Sequence, residues 1–310
     1  MIFQGNSMFL WQIGSIYKGE DLTQAWQTLM GQLKNLHIQA LYVKVADGAV
    51  PYNLLRQEQG QWDDIALLDM LEALAAAGMP KIGWQYLYGR EPEREAERAL
   101  ERIERLGLQG YILDAEQEYK RAGASAAEKF MKRLRAGSDV PLALCSYRFP
   151  TLHKDFPWQA FLAWMDSAHG DIHMPQMYWV GDARGDGPAL QLTRCHKELS
   201  ALKALQVLPI GGLYTQTVSN VLWQPTTVQM QAFAQAAMDL DCAGLGWWSW
   251  DAVCKLDAQN NLGWWQAIRD IAINWDGGSD AAQASLEERL AILENQAVLH
   301  GWSISGEVQA

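Results

Sequence analysis

The feature that most constrains how this chain can fold is a regular alternation of short apolar runs with longer amphipathic stretches. Eight such pairs follow one another between about residues 9 and 275. Because a strand, a helix and the next strand join as a parallel unit, the alternation predicts a parallel sheet with helices outside it. Eight units of this size favour a closed (β/α)8 barrel over an open doubly wound sheet. The predicted fold class is therefore an α/β TIM barrel with a short C-terminal helical extension.

The predicted strands cover residues 9–13, 40–45, 81–87, 108–113, 141–147, 172–178, 208–214 and 244–250. Predicted helices lie between and after them, at about 22–36, 64–77, 92–106, 125–135, 158–167, 190–205, 227–240 and 262–273. Pro175 is unusual within a central strand, and it predicts a local irregularity that re-aims Gln176. No GxGxxG motif follows the first strand and no GxxxxGK(S/T) motif occurs, so nucleotide-binding α/β folds have no support.

The chain changes character after Trp275. Residues 1–275 are predicted to form the barrel domain, residues 276–280 (Asp-Gly-Gly-Ser-Asp) a linker, and residues 281–310 a helix and tail. Leu286, Leu290 and Leu293 recur at helical spacing within this extension. Because the repeat covers only about two heptads, two interpretations stay open. The helix either packs back on the barrel or frays, or it serves as a homo-oligomerisation stub.

The composition argues against several classes of binding partner. The formal net charge of −11 argues against nucleic-acid backbones and anionic membrane surfaces. No segment is apolar and long enough to insert into a membrane, and no signal peptide precedes the barrel, so synthesis in the cytoplasm is expected. A lytic enzyme that is released by another route, or carried in a virion, would look the same. Four cysteines without CxxC spacing and scattered histidines predict neither a metal site nor a cofactor.

The fourth predicted strand ends in two acids, Asp114 and Glu116. Alternate residues of a strand point to one side, so the two carboxyl groups share a face at a Cα separation of roughly 6.6 Å. Acids that close perturb each other, and one tends to keep its proton while the other stays ionised. The plainer alternative is that Asp114 caps the following helix and Glu116 is a solvated loop residue.

The C-terminal ends of barrel strands build the active sites of this fold. Those ends carry polar and aromatic residues that suit a carbohydrate, since rings stack on sugar faces while amides and acids bond hydroxyls. Tyr86, Tyr88, Glu118 and Arg148 also fall there, while Trp84 and Trp247 are interpreted as packing outward on helices. Lys44 is either a substrate contact or a counter-ion of Asp114 or Glu116. The candidate substrate-binding residues are Lys44, Asp47, Gln85, Tyr147, Gln176, Tyr178, Trp179, Tyr214, Trp248, Trp250 and Asp251.

The segment Leu113-Asp-Ala-Glu116 resembles the Asp-x-Glu signature of two barrel families, the lysozyme-like muramidases (glycoside hydrolase family 25) and the chitinase-like glycosidases (family 18). Met177-Tyr178 and the tryptophans of the eighth strand are similar to the chitinase-like arrangement, and residues 43–48 (Val-Lys-Val-Ala-Asp-Gly) to the second strand of the muramidases. The chain departs from both families. It has Gln109 and Ile112 where chitinase-like enzymes carry further acids, and Gln12-Ile-Gly14 where muramidases carry an aspartate. The resemblance implies a separate branch of the glycoside hydrolase superfamily.

The leading hypothesis is a glycoside hydrolase that cleaves an amino-sugar polymer such as peptidoglycan or a chitin-like chain. Glu116 would be the general acid, and Asp114 would stabilise positive charge or orient a substrate acetamido group. A second hypothesis is a non-catalytic carbohydrate-binding or structural barrel, for example in a phage or cell-surface assembly. A third is a lyase or aldolase that uses Lys44 as a Schiff-base amine.

Overall fold

The computed structural model describes residues 1–16, 21–56 and 61–276. Eight parallel strands form a closed barrel, because the first strand pairs with both the second and the eighth. The predicted α/β TIM barrel is therefore confirmed. Apart from Asp276, the predicted linker and the extension 281–310 lie outside the described residues. The strands are β1 Gly5–Leu10, β2 Ala40–Asp47, β3 Ile82–Leu87, β4 Gly110–Ala115, β5 Leu142–Tyr147, β6 Ile172–Gln176, β7 in two pieces, Gln206–Val207 and Ile210–Gly212, and β8 Gly244–Trp248.

Helices surround the barrel, and eight of them have 11 to 19 residues. The exception is α5, which has only 5 residues. Within the described part of the chain no helix combines the length and apolarity needed to cross a bilayer. The helices are α1 Leu22–Asn35, α2 Ile65–Ala76, α3 Pro92–Leu106, α4 Gln117–Arg135, α5 Trp158–Leu162, α6 Gly187–Leu202, α7 Thr227–Asp239, α8 Trp250–Asn260 and α9 Trp264–Asp276.

The bounds of the strands differ from the predicted ones by one or two residues in most cases and by more at β1. Strand β1 starts four residues before the predicted start, since Gly5 pairs with Gly244 and residues beyond Leu10 already leave the barrel. Strand β8 ends at Trp248 because the hydroxyl of Ser249 caps α8 by accepting from the Ala252 N–H.

The predicted irregularity at Pro175 is wrong, since β6 stays in register with β5 through that residue. The irregular strand is β2. Its register with β3 shifts between Lys44 and Ala46. A bulge of this kind inserts an extra residue into the strand. The side chains after it therefore point to the opposite face of the sheet from the one that regular alternation would give.

The core has two layers, one inside the barrel and one between the strands and the helices. The inner layer contains Phe9, Tyr42, Trp84, Ile112 and Met174. Trp84 therefore lies inside the barrel, and its predicted outward packing is wrong. Its indole N–H reaches the carbonyl oxygen of Leu10 at 3.1 Å, which satisfies the only polar atom of the ring. The inner layer forms a solid floor beneath the barrel mouth.

Antiparallel pairings after β2 and after β7 extend the mouth in the described part of the chain. The chain after β2 folds back so that Val50–Pro51 pairs with the end of β2, and Leu55–Arg56 then pairs with Trp62–Asp63. After β7, Gln216–Val218 pairs with Val221–Trp223. These pairings follow the C-terminal ends of strands, which is the side of the barrel on which active sites form.

Candidate active site in the barrel mouth

The acids at the end of β4 lie together at the centre of the mouth. Asp114 is 7% exposed, whereas Glu116 is only partly buried. The side-chain amide of Gln176 donates to both, at 3.0 Å to Asp114 Oδ1 and 2.9 Å to Glu116 Oε1. Because both oxygens lie within 3.0 Å of one nitrogen, they are no more than twice that distance apart. Gln176 therefore holds the two carboxyl groups as a unit.

Burial is the main influence on the charge of this pair. Removal from water raises the pKa of Asp114 well above its usual range, and the negative charge of Glu116 raises it further. The positive charge of Lys44 and the hydrogen bond from Gln176 act in the opposite direction but do not prevail. A hydrogen bond between the two carboxyl groups also favours the protonated form of Asp114. The buried member of the pair therefore holds the proton, and Glu116 is the member that solvent reaches.

Lys44 lies on the β2 side of the mouth and pairs with Asp47, not with the acids of β4. Its Nζ is 3.0 Å from Asp47 Oδ1 and lies over the ring of Tyr52 at 4.3 Å and of Trp84 at 5.0 Å. Residues three apart on a regular strand point to opposite faces, so this pair depends on the bulge in β2. Asn53 supports the arrangement, because its side-chain amide donates to the carbonyl oxygen of Lys44 at 2.8 Å.

Aromatic rings line the floor beneath Lys44 and the acids. Trp248 lies 5.5 Å from Trp84 and 5.6 Å from Phe9, measured between ring centroids. Trp11 lies beside Trp248 at 6.4 Å and is 43% exposed. Rings in this arrangement offer apolar faces toward the mouth while their edges pack against one another.

Two tyrosines of the β3 end form one wall. Tyr86 donates to Glu118 Oε2 at 2.6 Å, and the hydroxyl of Tyr88 lies 3.4 Å from Asp47 Oδ2. The loop that carries Tyr88 is held by the buried carboxylate of Glu95, which accepts the backbone N–H groups of residues 88, 89 and 90 at 3.0–3.2 Å. Burial and the bond to Glu118 raise the pKa of Tyr86 above its usual range, so this hydroxyl remains a donor.

Three tyrosines from the ends of β5, β6 and β7 form the opposite wall. Tyr178 and Tyr214 meet edge to face at 5.6 Å, and Tyr147 stacks on His153 at 3.8 Å. Burial and the nearby acids raise the pKa of Tyr147 to about 12, so its hydroxyl is also a donor at neutral pH. Arg148 holds the backbone of this wall in place, because its guanidinium donates to the carbonyl oxygen of Tyr178 and to the side chain of Gln191.

Four of the candidate residues do not face this site. Gln85 is buried behind the sheet, where it donates to the carbonyl oxygens of Gly48 and Glu95. Trp179 is buried on the outer side, and its indole N–H contacts Gln229 at 3.2 Å. Trp250 is 2% exposed and packs on Trp265 in the helix layer. Asp251 accepts the backbone N–H groups of Trp11 and Gln12, and so anchors the chain after β1.

Other residues at the mouth were not selected from the sequence. Trp11 and Tyr52 lie in loops after β1 and β2, and loop residues lack the alternating pattern that identifies residues at the ends of strands. Cys145 lies on β5 beneath the acids, with its sulfur 3.7 Å from the amide nitrogen of Gln176. Alternate residues of a strand share a face, so the sequence already indicates that Cys145 and Tyr147 lie on the same side of β5.

No family model and no curated protein sequence matches this chain. Solved structures that are similar to it include an endo-β-1,4-mannanase from Thermotoga petrophila, with a TM-score of 0.64, 10% identity and coverage of 90% of this chain and 78% of the other. The spore cortex-lytic enzyme SleL from Bacillus megaterium QM B1551 gives a TM-score of 0.54 at 10% identity, covering 86% and 73%. The glycoside hydrolase domain of PgaB (BpsB) from Bordetella bronchiseptica gives 0.56 at 13%, covering 87% and 99%. At such low identity the likeness establishes a shared barrel fold.

Proposed function

We propose that this protein is a glycoside hydrolase that cleaves an amino-sugar polymer, with Glu116 as the general acid. One observation carries the proposal. Asp114, whose pKa burial raises, and the more accessible Glu116 are bonded to one amide in the barrel mouth, beside the exposed face of an aromatic ring. The pair supplies the proton that breaking a glycosidic bond needs, and the rings suit the apolar faces of a sugar.

The proton moves along the pair. In the free protein Asp114 holds it, while Glu116 is the member that a bound sugar can reach. When a substrate displaces water, the proton passes from Asp114 to Glu116 and from there to the glycosidic oxygen as the bond to the anomeric carbon breaks. Asp114 is then an anion, stabilised by the Gln176 amide and the positive charge of Lys44, and it stabilises the positive charge that develops on the sugar.

The nucleophile in this proposal comes from the substrate. Glycosidases that use a protein nucleophile need a second carboxylate on the other side of the anomeric carbon from the acid. Asp114 cannot take that position, because it lies only two residues before Glu116 at the end of β4 and hydrogen-bonds to it. An acetamido group at the neighbouring sugar carbon can attack instead, with Asp114 orienting it. This favours an N-acetylated amino sugar and net retention of configuration.

The walls of the mouth hold the sugar. Trp248 and the exposed ring of Trp11 provide stacking faces, and Tyr178 lies beside the acid pair. The Lys44–Asp47 pair offers a donor and an acceptor to sugar hydroxyl groups on the β2 side. The solved structures that share this fold include a spore cortex-lytic enzyme, a glycoside hydrolase domain and a mannanase. A neutral polymer such as mannan is therefore a suitable comparison substrate.

The test is release of reducing ends from peptidoglycan, chito-oligosaccharides and β-1,4-mannan, with Glu116→Gln as the control. We expect turnover of an N-acetylated polymer by the wild type, none of mannan, and none of either by the variant. Activity on mannan alone would overturn the amino-sugar assignment. Sugar binding without any turnover would favour a non-catalytic carbohydrate-binding barrel.

A further inference from the structure

The outer helix layer has a gap at α5. This helix has only 5 residues, whereas its neighbours α4 and α6 have 19 and 16. An open groove of about 750 Å³ lies beside α5. Its lining includes Phe156, Trp158 and Ala160, with Ala124 of α4 on one side and residues 194–202 of α6 on the other.

The rim of the groove is basic. Lys154, Arg194 and Lys197 lie around it, with Glu198 as the single acid. Arg194 already pairs with Glu198 at 2.7 Å. Lys154 and Lys197 are exposed, and neither forms an ion pair with another described residue. The groove therefore suits a helix with an apolar stripe flanked by acids.

The sequence contains a segment with this pattern, residues 281–299. On a helix, Leu286, Leu290 and Leu293 fall on one stripe. Glu287 and Glu294 flank that stripe on one side, and Arg289 flanks it on the other. The 19 residues would form a helix of about 28 Å. The apolar stripe matches the floor of the groove, and the flanking acids match its two unpaired lysines.

Residues 281–299 do not easily reach the groove of their own barrel. Helix α9 ends at Asp276 and contacts β1, whereas the groove follows β5, which lies on the opposite side of the eight-stranded ring. The distance across the helix layer of such a barrel is on the order of 30 Å. Residues 277–280 span at most about 14 Å when fully extended. A segment that starts at residue 281 therefore meets this groove most easily on another molecule.

We propose that residues 281–299 of one copy bind as a helix in the α4–α6 groove of a second copy, and that the exchange is reciprocal. The result is a closed, two-fold symmetric dimer in which each barrel receives the helix that its α5 does not provide. This interaction does not depend on the proposed catalytic activity.

The test compares two variants of the full chain that add the same charge to the same segment. Leu290→Asp places a carboxylate on the apolar stripe, and Asn295→Asp places one on the opposite face of the helix. By light scattering, we expect wild type and Asn295→Asp at twice the chain mass of 34.8 kDa, and Leu290→Asp at the mass of one chain. A single cooperative thermal unfolding transition in each variant would show that its barrel is folded. A monomeric wild type, or a dimer that Leu290→Asp leaves intact, would overturn the proposal.

A second measurement identifies the groove. A Leu290→Cys chain mixed with an Ala201→Cys chain should form a disulfide-linked pair under mild oxidation, since Ala201 lines the groove and is exposed. Wild type mixed with either variant controls for the exposed Cys254. A bond that forms within a single chain carrying both changes, at a dilution where mixed chains do not react, would contradict docking on a second copy.

Discussion

Asp64 and Asp114 are both nearly inaccessible to solvent, at 3% and 7% exposure, but the charged groups around them have opposite signs. Asp64 accepts from Arg102 at 2.8 Å and from two nitrogens of Arg105 at 2.6 and 2.5 Å, and these bonds lower its pKa to about 2. Asp114 has a second acid beside it, and burial raises its pKa well above the usual range. Burial alone thus does not determine the charge of a carboxyl group. A buried acid with matched cations is a structural ion, whereas one beside another acid holds a proton that can be transferred.

The largest effect should come from Glu116→Gln, which removes the accessible member of the acid pair. A general acid typically contributes about 10²- to 10⁴-fold to the rate, so kcat should fall by that factor while the variant still binds the sugar. Turnover of a chito-oligosaccharide measures it. Glu118→Gln is the matched control, since Glu118 also lies at the mouth but is bonded to Tyr86, and it should retain far more activity. Equal losses in both variants would remove the distinction between these acids.

Asp64→Asn should leave the chemistry intact and weaken the fold. The change removes one of the two acids that neutralise the buried Arg102, which is 4% exposed and stays paired with Glu101. The loss should therefore be about 2 kcal/mol, less than the roughly 3 kcal/mol for a buried cation left without any partner. Urea unfolding gives the free-energy difference, and kcat of the folded variant should match wild type. Asp270→Asn, at an exposed carboxylate, should change stability by less than about 0.5 kcal/mol. A stability loss no larger than that of the control would mean that the Asp64 pair is not a structural ion.

The stabilisation from Asp64 should disappear in acid. Its pKa is about 2 in the folded protein and 3.8 ordinarily, so the contribution is complete above pH 3.8 and is lost as the pH falls toward 2. The shift corresponds to about 2 kcal/mol. The difference in unfolding free energy between wild type and Asp64→Asn should therefore shrink by about that amount between pH 6 and pH 2. A constant difference across this range would contradict the lowered pKa.

Asp114 should show a pH dependence of the opposite sign. Its raised pKa means that the folded protein binds a proton that the unfolded chain releases above pH 3.8, so its contribution to stability declines as the pH rises. Asp114→Asn cannot lose a proton, and its thermal midpoint should rise relative to wild type between pH 4 and pH 8. If the thermal midpoint of the wild type instead rises relative to that of the variant over this pH range, Asp114 is ionised in the folded protein.

The smallest expected effect tests the tyrosine wall without touching a charge. A Cβ added at Gly212 would lie 2.7 Å from the ring of Tyr214 and 3.1 Å from that of Tyr178, so Gly212→Ala must displace at least one ring. We expect KM to rise by roughly 2- to 10-fold with a smaller change in kcat, because the sugar contact moves while the acids stay in place. Gly31→Ala, where a Cβ meets nothing within 4 Å, is the control. An unchanged KM would exclude this wall from substrate binding.

Much of the fold could be predicted because it depends on local patterns. Alternating apolar runs and helices imply eight units, and Asp114 and Glu116 follow a buried strand wherever that strand lies. The errors concern orientation and register. Gln85 and Tyr86 both stand near the end of β3, yet only Tyr86 faces the mouth, because the closure of the barrel decides which face of a strand is inside. The outward packing predicted for Trp84 is wrong for the same reason.

The sequence by itself determined the number of strand–helix units, the two acids after β4 and the aromatic character of the mouth, since each follows from residues close together in the chain. Only the tertiary structure decided the charge partners. The cations of Asp64 come from residues 38 and 41 positions away, and the bulge in β2 directs Lys44 to Asp47 and away from the acids of β4. Burial beside Glu116 then keeps the proton on Asp114. Electrostatic energy depends on distance in space and on exclusion of water, and a linear pattern specifies neither.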